Sequence, residues 1–275
     1  MVTGATNGIG LEAAVQLAST GDRVVMVGRN QAKLDASVAD VRGRSGNDAV
    51  DGVRADFASL ASVRALAARY ENTYDRLDVL VNNAGTVYAT RTVTEDGIEA
   101  TFAVNHVAPF LLTALLRDLI VRSAPARIVN VASVGHYRGT MDFGDLGFER
   151  GGYQIMRAYT RSKLANVMFT RSLSERLDGT GVTVNALHPG AVATGIWSRA
   201  PWFARPVLAV AKRFMVSPEE GARRIVYLAT SPKVANVSGA YFERDHAKEP
   251  AGLAMDEAAA ERLWEESARL VGVDA

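Results

Sequence analysis

A doubly wound α/β fold is what this 275-residue sequence predicts, and three observations predict it. Short apolar runs of strand length alternate with amphipathic stretches of helical period along the whole chain. The runs are apolar at consecutive positions, as in Val24-Val25-Met26-Val27, which marks strands buried on both faces of a parallel sheet. A glycine-rich segment, Thr3-Gly4-Ala5-Thr6-Asn7-Gly8-Ile9-Gly10, then opens directly into the first amphipathic stretch. Strands alternating with helices imply right-handed crossovers, a parallel sheet and helices on both of its faces. One Rossmann-type domain over residues 1–275 is expected.

The elements follow in order. Residues 23–28, 50–54, 77–81, 127–132 and 182–187 read as buried strands. Leu11, Ala14, Val15 and Ala18 recur at i, i+3, i+4 and i+7 before Gly21, the pattern of a helix with one apolar face. Residues 59–70, 95–120 and 157–177 repeat that pattern, and 257–269 reads as an amphipathic terminal helix with a solvated charged face. Ser217-Pro218-Glu219-Glu220 is a capping box with proline at the first helical position. Only Met1-Val2-Thr3 precede Gly4, whereas strands usually run about five or six residues. The first strand is therefore expected to be truncated, its natural form carrying a short apolar extension upstream.

Composition narrows the function classes. Apolar residues make up 48% and charged residues 22%, ordinary globular usage that excludes disorder. With 31 basic and 30 acidic side chains the net charge is +1, so no electrostatic footprint for nucleic acid exists. The absence of cysteine excludes disulfides, thiolate metal sites and a cysteine nucleophile, and fits a reducing, cytoplasmic setting. Wholly apolar runs fall far below the ~20 residues needed to span a bilayer, so no integral membrane segment is expected. His106, His136, His188 and His246 form no i, i+4 pair, so no metal site is expected either.

The glycine loop lets the backbone turn tightly and approach a pyrophosphate, whose charge then meets the amides at the helix start. Gly4, Thr6, Asn7, Gly8, Ile9 and Gly10 are its candidate cofactor-binding residues, although three residues separate the first two glycines, unlike the common G-x-G-x-x-G. The same segment also reads as a turn that binds nothing. The strand after it ends at Gly28-Arg29-Asn30, where NAD-binding folds place a carboxylate for the ribose 2′-hydroxyl. Arg29 suits a 2′-phosphate instead, with Gly28 leaving it room; otherwise it is a surface arginine. Asp56 stands to accept from the adenine amino group, to cap the next helix, or to do both.

Tyr159 and Lys163 lie one helical turn apart on one face. A free tyrosine titrates near 10, too high for easy proton exchange at neutral pH, and a neighbouring cation favours the phenolate. Ser133 ends a buried strand, at the rim where open α/β sheets bind ligands, and Asn82-Asn83-Ala84-Gly85 reach the same rim. Asn105 lies in an otherwise apolar helix (Phe102, Val104, Val107), either as a structural residue or in a polar relay.

The chain resembles the short-chain dehydrogenase/reductase family from end to end. The glycine loop, Asp56, Asn82-Asn83-Ala84-Gly85, Asn105, Ser133, Tyr159 with Lys163, and Pro189-Gly190 occur in the family's order. Ser162-Lys163-Leu164-Ala165-Asn166 and the stretch from Val182 to Gly190 resemble its retinol-dehydrogenase-like branch. The resemblance implies Tyr159 as the general acid/base and Lys163 as the residue that holds the nicotinamide ribose and depresses the tyrosine pKa. Ser133 would bind the substrate carbonyl, and Asn105 would hold a water linked to Lys163. It further implies cofactor contacts from the backbone at Ile9, from Asn83, and from Pro189, Gly190 and Thr194. Residues 191–216 would form a substrate lid, in which Pro201-Trp202-Phe203 either admits a greasy substrate, touches a membrane surface or packs on the domain.

The expected activity is NADP(H)-dependent hydride transfer to or from a small hydrophobic carbonyl or alcohol, with a homodimer as a possible assembly. The alternatives are a catalytically silent NADP(H) sensor and a light-dependent reductase of a chlorophyll precursor. The lack of cysteine counts against the latter.

Overall fold

The computed structural model describes residues 1–190 and 216–274. Among these, the strands are β1 (Val2–Thr3), β2 (Val24–Gly28), β3 (Val50–Arg54), β4 (Val79–Asn82), β5 (Ala126–Val131), β6 (Val182–His188), β7 (Tyr241–Glu243) and β8 (His246–Lys248). They form one sheet in the order β3-β2-β1-β4-β5-β6-β7-β8, parallel except for the β7–β8 pair. The helices are α1 (Gly8–Ala18), α2 (Gln31–Ser45), α3 (Leu60–Thr73), α4 (Ala108–Arg122), α5 (Ile155–Arg176), α6 (Pro218–Thr230) and α7 (Glu257–Val271).

Alternation along each strand divides the core in two. Val25, Val27, Leu80, Ile128 and Val184 point to the face covered by α3, α4, α5 and α7. Val24, Met26, Val81, Val129 and Leu187 point to the face covered by α1, α2 and α6. The chain winds outward from β1 through β2 to β3, then returns through α3 to set β4 on the other side of β1. That reversal parts the loops after β1 and β4 and opens a crevice at the carboxyl ends of the strands, where such sheets bind ligands.

Local chemistry sets several of these boundaries. β1 spans Val2–Thr3 and pairs with both neighbours, while the Met1 ammonium donates to the Val79 carbonyl at 2.8 Å. The helix expected over 95–120 starts at Ala100, because the Glu99 carboxylate accepts the amides of Thr101 and Phe102 as a cap. It then widens into a π turn over Ala103–Val107 before α4. Pro109 explains the widening: it has no amide hydrogen to close an α-helical bond on the Asn105 carbonyl. The whole stretch Ala100–Arg122 is long and apolar enough to cross a bilayer, yet most of it is buried in the fold as its core helix. Ser217 caps α6 by accepting the Glu220 amide, as its capping box predicts.

Helix α7 closes the face formed by α4 and α5. Trp264 packs against Phe110 (ring centroids 4.9 Å) and Phe169 (5.9 Å), with the Arg176 guanidinium 4.0 Å from the indole centroid. Beside this cluster His106 is fully buried between Asn166 (Nδ1 to Oδ1, 3.3 Å) and Ser267 (Nε2 to Oγ, 2.9 Å).

Burial lowers the His106 pKa to about 4. The unfolded chain binds a proton here near pH 6.5 and the native fold only near 4, so stability falls as pH drops through that window. The expected loss is about 3 kcal/mol from this residue. His106→Gln should flatten the dependence. Urea titrations at pH 7 and 4.5 check this: if wild type and variant lose the same stability on acidification, the assignment is wrong.

Candidate active site

The crevice is a cleft of about 900 Å³ running from the glycine loop to Ser133 and Tyr159. At its inner end the loop turns through left-handed backbone at Gly4 (φ +64°) and Gly8 (φ +53°). A Cβ on Gly4 would sit 2.8 Å from the Ala84 Cα, and one on Gly10 would collide with Asn83 Nδ2 and the Gly4 carbonyl. Thus the loop packs directly on the turn after β4. Asn7 precedes α1 without capping it by its side chain, so the helix start faces the cleft with amides suited to an anion. Gly4, Thr6, Asn7, Gly8, Ile9 and Gly10 all line this part, and the cradle fits a dinucleotide pyrophosphate.

Asn83 lines the cleft too, but its amide donates to the carbonyls of Thr3 (2.8 Å) and Gly4 (3.2 Å). Its main visible work is to tie β1 to β4. The Thr3 hydroxyl completes the tie by accepting the amides of Asn83 and Ala84.

At the adenosine end, Arg29 lines the cleft and is exposed, with Arg54 donating to its carbonyl at 3.3 Å. Gly28 lines the cleft beside Arg29, and its missing Cβ also makes way for the Thr6 methyl. Asp56 does not cap α3; Ser59 does, by accepting the Ser62 amide. The Asp56 carboxylate instead accepts the Ala58 amide at 2.9 Å and lines the cleft.

At the other end, Ser133, Tyr159 and Lys163 converge. Ser133 ends the β5 run and accepts the Gly135 amide on Oγ at 3.1 Å, which starts the 3-10 turn Val134–Arg138. Burial raises the Tyr159 phenol pKa, and a hydrogen bond with the Ser133 hydroxyl works in the opposite direction. Lys163 is buried, donates from Nζ to the Val131 carbonyl at 2.7 Å, and has its pKa pushed down to about 8 by burial.

Asn105 is bound on every side. Its Oδ1 accepts the Thr86 amide at 2.7 Å, and its Nδ2 donates to the Thr86 carbonyl and to Ser162 Oγ, each at 3.0 Å. The side chain therefore joins the π turn to α5 beside Lys163. A Cβ on Gly85 would stand 3.5 Å from Asn105 Oδ1 and 3.7 Å from Lys163 Nζ, so both groups meet across that glycine.

Pro189 and Gly190 line the cleft where β6 ends, Gly190 at φ +103°. Thr194 and all but Val216 of the segment expected as a lid lie outside the described residues. Val87, Tyr88, Val134, Tyr137 and Met156 also line the cleft. Among the described residues no group of three acidic or histidine side chains converges on a metal position. His136 follows Ser133 closely enough to be expected in the pocket lining or as an ordinary loop histidine; it stands behind the lining, where its ring accepts the amide of Ala251, 115 residues away in the chain.

A dinucleotide cradle at a strand switch point, ending at a serine, tyrosine and lysine, defines a class of oxidoreductase, and comparison with known proteins narrows it. The short chain dehydrogenase family matches residues 1–201. Retinol dehydrogenase 13 of Homo sapiens is 44% identical over 280 residues, covering 100% of this chain and 85% of that protein. Polyprenol dehydrogenase of Mus musculus is 41% identical, covering 99% of this chain and 83% of its own length. The crystal structure of an actinorhodin polyketide ketoreductase with NADPH superposes with a TM-score of 0.68 at 32% identity, covering 88% of this chain and 93% of its own. The chain belongs to the short-chain dehydrogenase/reductase family and is retinol-dehydrogenase-like. It is an oxidoreductase acting between CH–OH and C=O with a nicotinamide cofactor.

Proposed function

We propose that this enzyme uses NADP(H) to interconvert a hydrophobic carbonyl compound and its alcohol, with reduction as the direction in a cytoplasmic, NADPH-rich setting. The observation that carries the reading is the convergence of Ser133, Tyr159 and Lys163 in a cleft also lined by Val87, Val134 and Met156. The apolar part of the lining would receive the substrate body, while the polar groups meet its oxygen. The substrates named for human retinol dehydrogenase 13 and mouse polyprenol dehydrogenase, a retinol and a polyprenol, agree with that polarity.

When bound, nicotinamide supplies or takes the hydride at the carbonyl carbon. The chain does the rest. Tyr159 gives its proton to the substrate oxygen in reduction and takes it back in oxidation. Ser133 hydrogen-bonds the same oxygen and holds the phenol in place. Lys163 would hold the nicotinamide ribose and sets the local charge, and Asn105 fixes the π turn beside it. Asn83, Pro189 and Gly190 would shape the cofactor's bed, and Asp56 would face the adenine.

Turnover assays of NADPH and NADH with short, aromatic and polyene aldehydes test the reading. Absence of turnover with every aldehyde, despite tight NADPH binding, would favour a silent sensor. For the cofactor itself, a charge-assisted contact from Arg29 to a 2′-phosphate is worth about 1.5–3 kcal/mol, or roughly 10- to 150-fold in affinity. Arg29→Ala should weaken NADPH by that factor and spare NADH. Equal losses for both cofactors would assign Arg29 to the fold instead.

A further inference from the structure

We infer that His136 is a positioning residue for the reaction: as a neutral imidazole it locks the Ser133 turn to the chain at 249–251. The inference rests on the proposed role of Ser133 at the substrate oxygen.

His136 lies three residues after Ser133, within the 3-10 turn Val134–Arg138, and is wholly buried. Both of its partners are main-chain groups. Nε2 accepts the Ala251 amide at 3.1 Å. A ring nitrogen that accepts carries no hydrogen, so the hydrogen sits on Nδ1, which donates to the Ser133 carbonyl at 2.7 Å. Neither a backbone amide nor a backbone carbonyl can exchange donor for acceptor, so the fold itself selects this tautomer. The ring lies tilted against both Tyr137 (centroids 4.0 Å) and Tyr241 (4.4 Å). Tyr137 adds a second tie to the same segment by donating its hydroxyl to the Glu249 carbonyl at 2.8 Å. Because Ser133 Oγ is fixed by the Gly135 amide, hydroxyl and turn move as one piece.

A second proton on the ring breaks this arrangement. It would set an N–H on Nε2 against the Ala251 N–H, two donors face to face. Of the groups packed around the ring, Glu243 on β7 favours the charged form, while Tyr241 on β7 and Tyr137 on the turn offer aromatic faces. His188 on β6 lies close enough to interact, Tyr159 and Thr160 on α5 pack against Gly135 of the turn, and Glu249 belongs to the tied segment. Burial outweighs Glu243 and holds the ring neutral. Acidification should therefore release the Ser133 turn from 249–251 and lower the rate without displacing the cofactor.

Three variants separate positioning from mere packing. His136→Asn keeps a donor at the Nδ1 position and loses the acceptor; His136→Gln keeps the acceptor and loses the donor to Ser133. Ala251→Pro deletes the donating amide where the backbone (φ −54°) already suits proline. Each is assayed with NADPH and all-trans-retinal for kcat and KM across pH 5 to 8, together with Ser133→Ala. A misplaced reacting group can cost about 100-fold in rate. The expected result is that His136→Gln loses roughly 10- to 100-fold in kcat, and more than His136→Asn, with the KM for NADPH unchanged. In Ala251→Pro the tie is absent at every pH, so kcat should be low throughout and its acid limb flattened. If folded His136 variants keep wild-type kcat and Ala251→Pro keeps the wild-type pH profile while Ser133→Ala is inactive, the inference fails and the site reading stands. If Ser133→Ala turns over normally, both fail.

Discussion

Tyr159→Phe is expected to lower turnover by roughly 10²–10⁴-fold while the fold and NADPH affinity hardly change. The reason lies in the environment of the phenol. Burial raises its pKa above the usual value, and the Ser133 hydroxyl pulls the other way. Resemblance to the family had implied a tyrosine depressed by its lysine; in this structure burial is the dominant influence. A phenol kept neutral is well prepared to donate a proton, which suits reduction. Oxidation needs the phenolate and should gain rate as pH rises. Phenylalanine retains the ring and its packing but has no proton to give. Steady-state kinetics alongside NADPH fluorescence titration check the point, and near-wild-type kcat in the variant would remove Tyr159 from the chemistry.

Lys163→Met should have two opposite effects: a more stable apo fold and an enzyme that binds cofactor poorly and turns over at most about 1% as fast. The ammonium is buried with its pKa lowered to about 8 from the usual 10.5. Between those values the native state binds fewer protons than the unfolded chain, so stability rises with pH through that window. At pH 7 the whole penalty for burying the charge is present, about 3 kcal/mol. Methionine removes it at nearly equal length. The Val131 carbonyl loses its donor, which offsets part of the gain by about 1–3 kcal/mol. A net rise of a few degrees in Tm follows for a chain of this size. If Lys163→Met melts lower than wild type, the lysine supports the fold rather than straining it.

Much of this site could be read directly from the sequence because local chemistry dictates it. Gly4 and Gly8 occupy left-handed positions that few other residues tolerate, and Tyr159 and Lys163 share a face through helix geometry alone. Ser133 reached the strand rim through the apolar run before it. Other features depend on distant partners. Helix α2 went unread because its buried stripe is narrow, with Leu34, Val38 and Val41 set among charges. Strands β7 and β8 have three residues each, too few for a period to show. Asp56 was weighed as a helix cap, but the chain turns once more before Ser59 takes that place. The amide of Asn83 goes to Thr3 and Gly4, about 80 residues away, and a spacing rule cannot see that.

Helix α7 has a consequence for synthesis. Every cleft residue named among 1–190 leaves the ribosome before residues 257–271 do, so α4 and α5 form with Phe110 and Phe169 still uncovered. The nascent chain thus carries a nearly complete cleft and an open aromatic flank at the same time. Capture by chaperones, or by another nascent chain, competes with folding until Trp264 arrives. A premature stop shortly after residue 256 would yield a polypeptide with its cleft side chains present and its cover missing, better equipped to aggregate than to work.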